Sequence, residues 1–308
     1  MISYRPTTPA DLERVTAWTV REPVSWISAE RYRAELAEGM YRPEWTWIAE
    51  DGDRVVGRAL WWGRRDSEHP IALDCLDVDP AAGDRTAVAA GLISAGLAGI
   101  PGTVEYAVKV AGGWRDDPVT LAAVEWRRAA AHAAGLTREV ERLQFEWTPE
   151  AGIPEPTGAL TFHTGTDEEF LPVFARISEG SLDAHTRSAL AARGVEETAR
   201  EELEYYLAAP GERAWWRIAR TPEGEVAGMA IPSATPYGMN VGYLGVVPEC
   251  RGRGYVDELL GVITRIHAAG GAERITGTTD LGNAPMAAAF TRAGYRAVEI
   301  RLNLSNAA

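Results

Sequence analysis

Short apolar runs alternate with amphipathic stretches through the second half of the chain. Residues 241–247 are mostly apolar and predict a strand, and the stretch after Gly254 repeats apolar side chains at the spacing of one helical face. The side chains of that face are Val256, Leu259, Leu260, Ile263 and Ile266. The pattern therefore predicts a strand, a short turn and an amphipathic helix.

A second strand and helix follow this unit. Residues 274–279 predict the strand, and Asn283 is a favoured N-cap for the helix after it. Pro285 is tolerated in the first turn of a helix. Gly294 can adopt the left-handed conformation that ends a helix, so we expect this helix to end just before it.

The first half of the chain repeats the pattern of the second. Residues 47–59 and residues 216–230 each predict a strand, a turn and a strand. Between the halves, residues 148–158 are rich in Pro and Gly and show no periodicity, which is typical of a linker. We therefore predict an internal duplication, with domains at 1–147 and 159–308.

The turn before the amphipathic helix has the composition of an anion-binding loop. It reads Pro-Glu-Cys-Arg-Gly-Arg-Gly-Tyr over residues 248–255. Gly252 and Gly254 let the backbone approach a ligand without a Cβ clash, and the N–H groups at a helix N-terminus favour an anion. Arg251 and Arg253 add charge-assisted donors that suit phosphate. The loop therefore predicts a cradle for a phosphate or pyrophosphate.

This loop fits neither G-x-x-x-x-G-K-[ST] nor the third glycine of G-x-G-x-x-G. It resembles the coenzyme A loop of GNAT-type N-acetyltransferases, (Gln/Arg)-x-x-Gly-x-(Gly/Ala), except that Glu249 stands at the first position. The order Asn283, Met286, Phe290, Gly294 also looks like the closing strand–helix–strand of that family. The resemblance implies an α/β fold of two tandem GNAT-like domains, each a central mixed, largely antiparallel sheet flanked by helices.

The resemblance also implies which residues bind acetyl-CoA as co-substrate. In the family, N–H groups of the strand before the loop contact the acetyl carbonyl, which assigns this role to Val246 or Val247, with Gly245 marking a bulge. Many members have, at the position of Phe290, a tyrosine that protonates the leaving thiolate. In this chain Tyr255 or Tyr295 could serve as that acid instead, or each could be a packing residue. The predicted coenzyme A residues are Leu244, Val246, Val247, Arg251, Gly252, Arg253, Gly254, Tyr255, Val256, Asn283, Met286 and Phe290.

The first copy has lost the features of a coenzyme A site. After Pro80 it keeps one glycine, and Asp84 there would repel a phosphate. We therefore expect no productive binding of coenzyme A by this copy. It also holds nine of the eleven tryptophans, which either fill a core or, at Trp61, Trp62 or Trp114, line an aromatic surface for a cationic amine.

An amine must lose a proton before it attacks a thioester, so a base is expected. Sequence leaves Asp183, His185, Tyr243 and Asp280 as candidate catalytic residues, with Asn240 beside them. Each of three candidates also has a non-catalytic interpretation. Asp183 could cap a helix, His185 could be a solvated side chain, and Asp280 could be a turn residue. The acidic run Glu201, Glu202 and Glu204 is interpreted as a solvated helix face.

Composition bounds the class of protein. The net charge of −13 argues against a nucleic-acid partner and favours a cationic or neutral small substrate. Cys75 and Cys250 are too few for a disulfide framework, so we expect reduced thiols. No apolar run of 18 residues is visible, so we expect no membrane partner. No secretory leader is visible either, which favours a cytoplasmic location. The histidines show no metal-ligand spacing, so no metal is expected.

These observations together predict an acetyl-CoA-dependent N-acetyltransferase. The C-terminal domain would transfer the acetyl group directly to a primary amine of a small molecule or peptide. The alternatives are a non-catalytic acyl-CoA-binding or regulatory protein, and an acyltransferase that uses another acyl-CoA. Both a monomer and a homodimer remain open.

Overall fold

The computed structural model describes residues 2–306, which form two compact units. Among the described residues, the first unit contains 2–141 and 300–306. Its elements up to residue 133 are β1 (Ile2–Pro6), α1 (Leu12–Thr16), α2 (Ala29–Ala37), β2 (Thr46–Asp51), β3 (Arg54–Trp62), β4 (Ala72–Val78), α3 (Arg85–Leu97), β5 (Glu105–Val110) and α4 (Pro118–Ala133).

The second unit contains residues 142–299. The elements that follow α4 in the chain are β6 (Arg138–Trp147), β7 (Thr161–His163), α5 (Asp167–Ser178), α6 (Ala184–Arg193), α7 (Val195–Ala208), β8 (Arg217–Arg220), β9 (Val226–Thr235), β10 (Gly238–Val246), α8 (Tyr255–Ala269), β11 (Ile275–Asp280), α9 (Ala284–Arg292) and β12 (Arg296–Ser305).

Each unit contains a mixed sheet flanked by helices, and the order and direction of the strands are the same in both units. In the first, β1 to β4 form an antiparallel series, β4 pairs parallel with β5, and β5 pairs antiparallel with residues 300–305 of β12. In the second, β7 to β10 are antiparallel, β10 pairs parallel with β11, and β11 pairs antiparallel with residues 142–147 of β6. The expected fold of two mixed, largely antiparallel sheets is confirmed.

The final strand of each sheet comes from the other half of the sequence. Residues 300–305 complete the first sheet, although they follow α9, and residues 142–147 complete the second, although they follow α4. The first unit is therefore discontinuous in the chain, and neither unit follows the ranges 1–147 and 159–308. Those ranges stay a prediction for the limits of the duplicated segments.

The segment expected to be a linker packs on the second unit. Within 148–158, the main-chain oxygen of Gly152 accepts a hydrogen bond from Trp147 Nε1 at 2.8 Å, and that of Pro154 accepts one from Arg265 at 2.8 Å. The N–H of Thr157 donates to the buried carboxylate of Glu258 on α8. These bonds hold the segment against α8.

Local sequence explains where two helices of the second unit begin and which face of a third is buried. Asp183 caps α6 by accepting from Thr186 N, and Asn283 caps α9 by accepting from Met286 N. On α8, Leu259, Leu260 and Ile263 are fully buried, as the amphipathic pattern predicts. Burial of each such side chain stabilises the fold by about 1.5–3 kcal/mol.

Two of the three tryptophans considered for an aromatic surface pack in the core of the first unit. Trp61 is 0% and Trp114 6% exposed, and both pack in the cluster that includes Leu92 and Val108. The interpretation of Trp61 as part of an aromatic surface for a cationic amine is therefore wrong, because its ring does not reach solvent. Trp114 also lines a cavity of about 300 Å³ with Glu139 and Glu141, so its role stays a prediction. Trp62 packs partly buried against a second cluster, around Leu60.

Candidate active site

Strands β10 and β11 separate part-way along their length. They pair in parallel at Met239–Ile275 and Asn240–Thr276, whereas β10 continues beside β9 as far as Val246. The register of β10 with β9 shifts between Asn240 and Tyr243, which is a β-bulge. A bulge bends a strand, so β10 leaves β11 here and opens a notch in the sheet.

Gly242 supports this bulge, and the expectation that Gly245 marks it is wrong. Gly242 has φ +65°, and a Cβ on it would lie 2.3 Å from the main-chain oxygen of Ile231. Gly245 pairs regularly with Met229. Its missing side chain has another reason, because a Cβ there would lie 2.2 Å from Cγ2 of Ile177 on α5.

The alternation of β10 directs particular N–H groups into the notch. Val247 N donates to the main-chain oxygen of Ala227 at 3.0 Å, on the β9 side. Successive residues of a strand point their N–H groups to opposite sides, so those of Val246 and Leu244 face away from β9. Val246 therefore has the geometry of a donor to an acyl carbonyl. Val247 does not, because its N–H is already bonded within the sheet.

The glycine-rich loop leads from this notch to the N-terminus of α8. Gly252 and Gly254 have φ +77° and +78°, and a Cβ on either would meet no heavy atom within 4 Å. Positive φ explains glycine at both positions. The open space before them, and the N–H groups of the first turn that starts at Tyr255, fit a phosphate or pyrophosphate group.

Arg251 has a structural role that its sequence context does not reveal. Its Nε donates to Val246 O at 3.2 Å, Nη1 to Gly180 O at 3.3 Å, and Nη2 to Ile177 O and Glu179 O at 2.9 Å each. The guanidinium therefore ties the C-terminal end of α5 to the end of β10. All three nitrogens already donate to protein carbonyls, so one N–H of Nη1 is left for a ligand, and the contact of Arg251 with phosphate stays a prediction.

The two charged neighbours of Arg251 face solvent. Arg253 Nη2 reaches the main-chain oxygen of Glu249 at 3.4 Å and leaves most of its guanidinium exposed. Glu249, which stands where the family pattern has Gln or Arg, pairs with Arg176 at 3.2 Å on the surface. An exposed pair of this kind contributes little to stability.

A cavity of about 1010 Å³ joins the notch, the loop and the helices α6 and α7. Its lining includes these predicted residues: Asp183, His185, Tyr243, Leu244, Val246, Arg251, Gly252, Gly254, Tyr255, Val256, Asn283, Met286 and Phe290. Val247, Arg253 and Asp280 are outside the lining. All lining residues belong to the second unit, 142–299.

The helix α9 contributes its first turns to this cavity. Asn283 Oδ1 accepts from Met286 N at 3.3 Å, which leaves the amide group as a free donor for a ligand. Phe290 is 1% exposed and stacks on Phe145 at 4.6 Å between ring centroids. Of the alternative acids, Tyr295 is buried and bonded to Thr264 at 2.8 Å outside the lining, whereas Tyr255 lines the cavity. The role of Tyr295 is therefore packing.

Arg142 holds two of the candidate bases. It donates to Asp183 at 2.7 Å and to Asp280 at 2.8 Å. Burial alone would raise the pKa of Asp183, but the positive charge of Arg142 and the hydrogen bond from Thr186 N hold that pKa below its usual value. Asp280 also accepts from Ala184 N at 2.6 Å. Both carboxylates fix the start of α6, and its lowered pKa makes Asp183 a poor proton acceptor.

Aromatic rings surround the bulge. Tyr243 packs 5.2 Å from Phe174 and 5.8 Å from Tyr206, and Tyr206 donates to the main-chain oxygen of Gly242 at 3.3 Å. Burial raises the pKa of both tyrosines well above the usual value, so each phenol stays neutral. Tyr243 can donate a proton or a hydrogen bond, but it does not serve as a base near neutral pH.

Glu202 is the residue that the sequence interpretation missed. It was assigned to a solvated face of α7, but its carboxylate lines the cavity and is half-buried. Burial, and then the negative charges of Asp183 and Glu201, raise the pKa of Glu202 to about 7. Its spacing of four residues from Tyr206 was the available signal, because both then lie on one helical face.

Two further polar groups complete the site. His185 lines the cavity with an exposed side chain, which agrees with its interpretation as a solvated residue. Asn240 lies at the start of the bulge, and its Oδ1 is buried without a hydrogen-bond partner among residues 2–306. A buried acceptor of this kind is costly unless a ligand or water satisfies it, so Asn240 Oδ1 is suited to accept a hydrogen bond from a donor group of a ligand.

The corresponding notch of the first unit is filled by its own side chains. There β4 and β5 pair at Ala72–Glu105 and Leu73–Tyr106 before they separate. Arg127 of α4 is 1% exposed and donates to Leu76 O at 3.2 Å, on β4 beyond the point of separation. Its Nη1 pairs with Glu22 at 2.7 Å. This arrangement supports the expectation that the first copy does not bind coenzyme A.

Other kinds of site are not visible in the part of the chain that the structure describes. Among residues 2–306, His, Cys, Asp and Glu side chains form no group of three or more that could hold a metal ion. The helices within the same range are too short or too polar to span a bilayer. Cys75 and Cys250 are both free and buried.

The split sheet, its bulge and the open loop at a helix N-terminus define the class by its fold: an α/β domain with a gap between two diverging strands and an open glycine-rich loop at one end of that gap. Residues 182–295 match the model of the acetyltransferase (GNAT) family, and this stretch is a GNAT-family domain. The resemblance inferred from the loop and from Asn283 is thereby confirmed for these residues. A search of curated protein sequences gave no match.

Solved structures with the same fold cover almost the whole chain. A GCN5-related N-acetyltransferase from Sphaerobacter thermophilus matches 99% of this chain and 95% of its own, with a TM-score of 0.53 and 16% identity. A glucosamine N-acetyltransferase region of a fungal multi-domain GH3 β-N-acetylglucosaminidase covers 98% of this chain and 38% of its own, with a TM-score of 0.56 and 14% identity. At these identities the likeness establishes the fold.

Proposed function

We propose that the second unit is an N-acetyltransferase that uses acetyl-CoA and transfers the acetyl group directly to a primary amine of a small molecule or peptide. The observation that carries this proposal is the continuity of one cavity from the open loop at Gly252 and Gly254 to the notch beside Val246. The family of residues 182–295 supports it.

Each part of this cavity has a separate task in the proposed reaction. The N–H groups after Gly252 and Gly254 bind the pyrophosphate, and Asn283 donates to the pantetheine arm. The N–H of Val246 polarises the thioester carbonyl, an interaction worth about 3–4 kcal/mol when the charge develops. The neutral amine attacks that carbonyl, the C–S bond breaks, and the thiolate leaves.

Calorimetric titration of acetyl-CoA tests the cofactor part of the proposal. We expect one site per chain for the wild type, and an affinity lower by about 30-fold or more, equivalent to about 2 kcal/mol, for the double variant Gly252→Glu, Gly254→Glu. The matched control is Gly39→Glu, Gly271→Glu, because these glycines also have positive φ and open surroundings, but Gly39 lies in the first unit and Gly271 follows the C-terminal end of α8. Equal affinity in all three proteins would refute the assignment.

Phe290 favours a second candidate, a protein that binds acyl-CoA without turnover, because it lacks the hydroxyl that protonates the thiolate in many relatives. Release of free thiol from acetyl-CoA in the presence of a panel of amines separates the two. An acetyltransferase releases thiol with at least one amine, whereas a sensor binds acetyl-CoA and releases none. A parallel series with longer acyl-CoA donors identifies the acyl group that is used.

A further inference from the structure

Three acidic side chains of the described residues line the cavity, and two of them have cationic partners. Asp183 pairs with Arg142 at 2.7 Å, and Glu201 pairs with Arg193 at 2.8 Å. Glu202 has neither an ion pair nor a hydrogen bond with residues 2–306. A half-buried carboxylate in this state has lost part of its hydration without compensation. The cavity therefore favours a cation that comes from outside the chain.

Glu202 lies where such a cation would meet the acyl group. It is one turn before Tyr206 on α7, and the Tyr206 hydroxyl donates to Gly242 O in the bulge at 3.3 Å. The ring of Tyr206 lies 5.8 Å from that of Tyr243, which precedes Leu244 on the notch. A group bound at Glu202 is thus beside the diverging strands.

We propose that Glu202 binds the ammonium group of the acceptor and removes the proton that the amine must lose before attack. This inference rests on the proposed function. The first proton passes from the ammonium to a carboxylate oxygen of Glu202 and then to water. The neutral nitrogen attacks the thioester carbonyl, the C–S bond breaks, and a second proton passes from the acylated nitrogen to the thiolate. The products are the amide and the free thiol, with one proton released.

The surroundings of Glu202 also indicate the class of acceptor. Tyr205 is 56% exposed and packs edge-to-face on Tyr206 at 5.0 Å, so two aromatic rings lie beside the carboxylate. Aromatic faces attract a cation and pack against an apolar body. The arrangement favours a primary alkylamine or arylalkylamine. It disfavours an α-amino acid, whose own carboxylate would meet Asp183 and Glu202.

Other groups set the protonation of Glu202. Those that face the cavity with it are Glu201, Tyr205 and Tyr206 on α7, Asp183 before α6, His185 and Arg193 on α6, Arg142 on β6, Tyr243 on β10 and Arg251 in the loop. Helix α5 presents the apolar ring of Phe174 to Tyr206. Burial and the nearby negative charges raise the pKa of Glu202 to about 7. A base is most effective when its pKa is near the working pH.

The kinetic test compares Glu202→Gln with the wild type across pH 5.5 to about 9, with acetyl-CoA and a panel of primary alkylamines and arylalkylamines. We expect kcat/KM to fall by about 100-fold or more, and the acidic limb near pH 7 to disappear. The affinity for acetyl-CoA should not change. The matched control is Glu204→Gln, because Glu204 is exposed on the same helix and lies outside the cavity lining. Wild-type kcat/KM and an unchanged acidic limb in Glu202→Gln would overturn the proposal.

A second measurement does not depend on turnover. The carboxyl ¹³C shift of Glu202, assigned by its loss in Glu202→Gln, should titrate with a midpoint near 7 in the absence of amine. Added alkylamine should move that midpoint downwards, because a bound ammonium stabilises the carboxylate. A midpoint below 5 without amine would refute the inference. If the wild type binds no acetyl-CoA and releases no thiol, the proposed function fails instead.

Discussion

The substitution Gly242→Ala tests whether the bulge creates the notch. Gly242 has φ +65°, a conformation that costs an L-residue about 1–2 kcal/mol. The new Cβ would also lie 2.3 Å from Ile231 O and 2.8 Å from Ser233 Cβ. Both atoms belong to β9 or its side chains, so the strand itself must shift. We expect a total loss of about 3 kcal/mol or more in the free energy of unfolding.

Gly224→Ala is the matched control for this substitution. Its φ is +89°, but no heavy atom lies within 4 Å of the Cβ position, so conformational cost acts there without a clash. We expect a loss of about 1 kcal/mol. Urea unfolding followed by circular dichroism gives both values.

The same two variants separate a fold effect from a site effect. A shift of β10 in Gly242→Ala would reorient the N–H groups of Leu244 and Val246, so we expect acetyl-CoA to bind at least about 10-fold more weakly by calorimetry. In Gly224→Ala the affinity should equal that of the wild type. Equal losses of stability in the two variants, together with unchanged affinity in Gly242→Ala, would refute the reasoning.

Two further predictions concern the charges of the cavity. Arg142→Gln leaves Asp183 and Asp280 without their shared cation, so the free energy of unfolding at pH 7 should fall by about 2 kcal/mol. This value is smaller than that for a fully buried pair, because Arg142 is 29% exposed and water screens part of the attraction. Since the pKa of Asp183 is lowered in the fold, this loss should shrink as the pH falls through about 4, and a loss that is constant with pH would contradict the assignment. The pKa of Glu202 is raised, so the native state binds more protons between about pH 4.5 and 7, and wild-type stability should decline as pH rises through that window. Glu202→Gln should therefore be more stable than the wild type by about 3 kcal/mol at pH 8 and equal to it below about pH 4.5, whereas Glu204→Gln should show no such difference.

Local chemistry made part of this protein readable from sequence. The amphipathic face of α8, the N-cap at Asn283 and the glycines at 252 and 254 depend on residues a few positions apart, and each lies in the structure where the sequence places it. The capping role of Asp183 was also recoverable, because a cap is satisfied within one turn. These elements sufficed to predict the fold of the second unit and the loop that faces the cavity.

Tertiary structure decided the features that depend on distant contacts. Arg251 looks like a phosphate ligand in sequence, but carbonyls at the end of α5 and just after it, some 70 positions earlier, accept most of its donors. Glu202 looks like a solvated residue until α7 packs beside Asp183 and Tyr243, and the loss of hydration then raises its pKa.

The strand exchange has the same origin. Each of β6 and β12 is a plausible partner for either sheet, because the two halves repeat one pattern and the alternation of a strand does not encode which copy it pairs with. The sequence by itself therefore determined the elements and the loop. Only the assembled fold determined which strand completes each sheet and which carboxylate stays unpaired, because pairing, burial and counter-charge are properties of residues far apart in the chain.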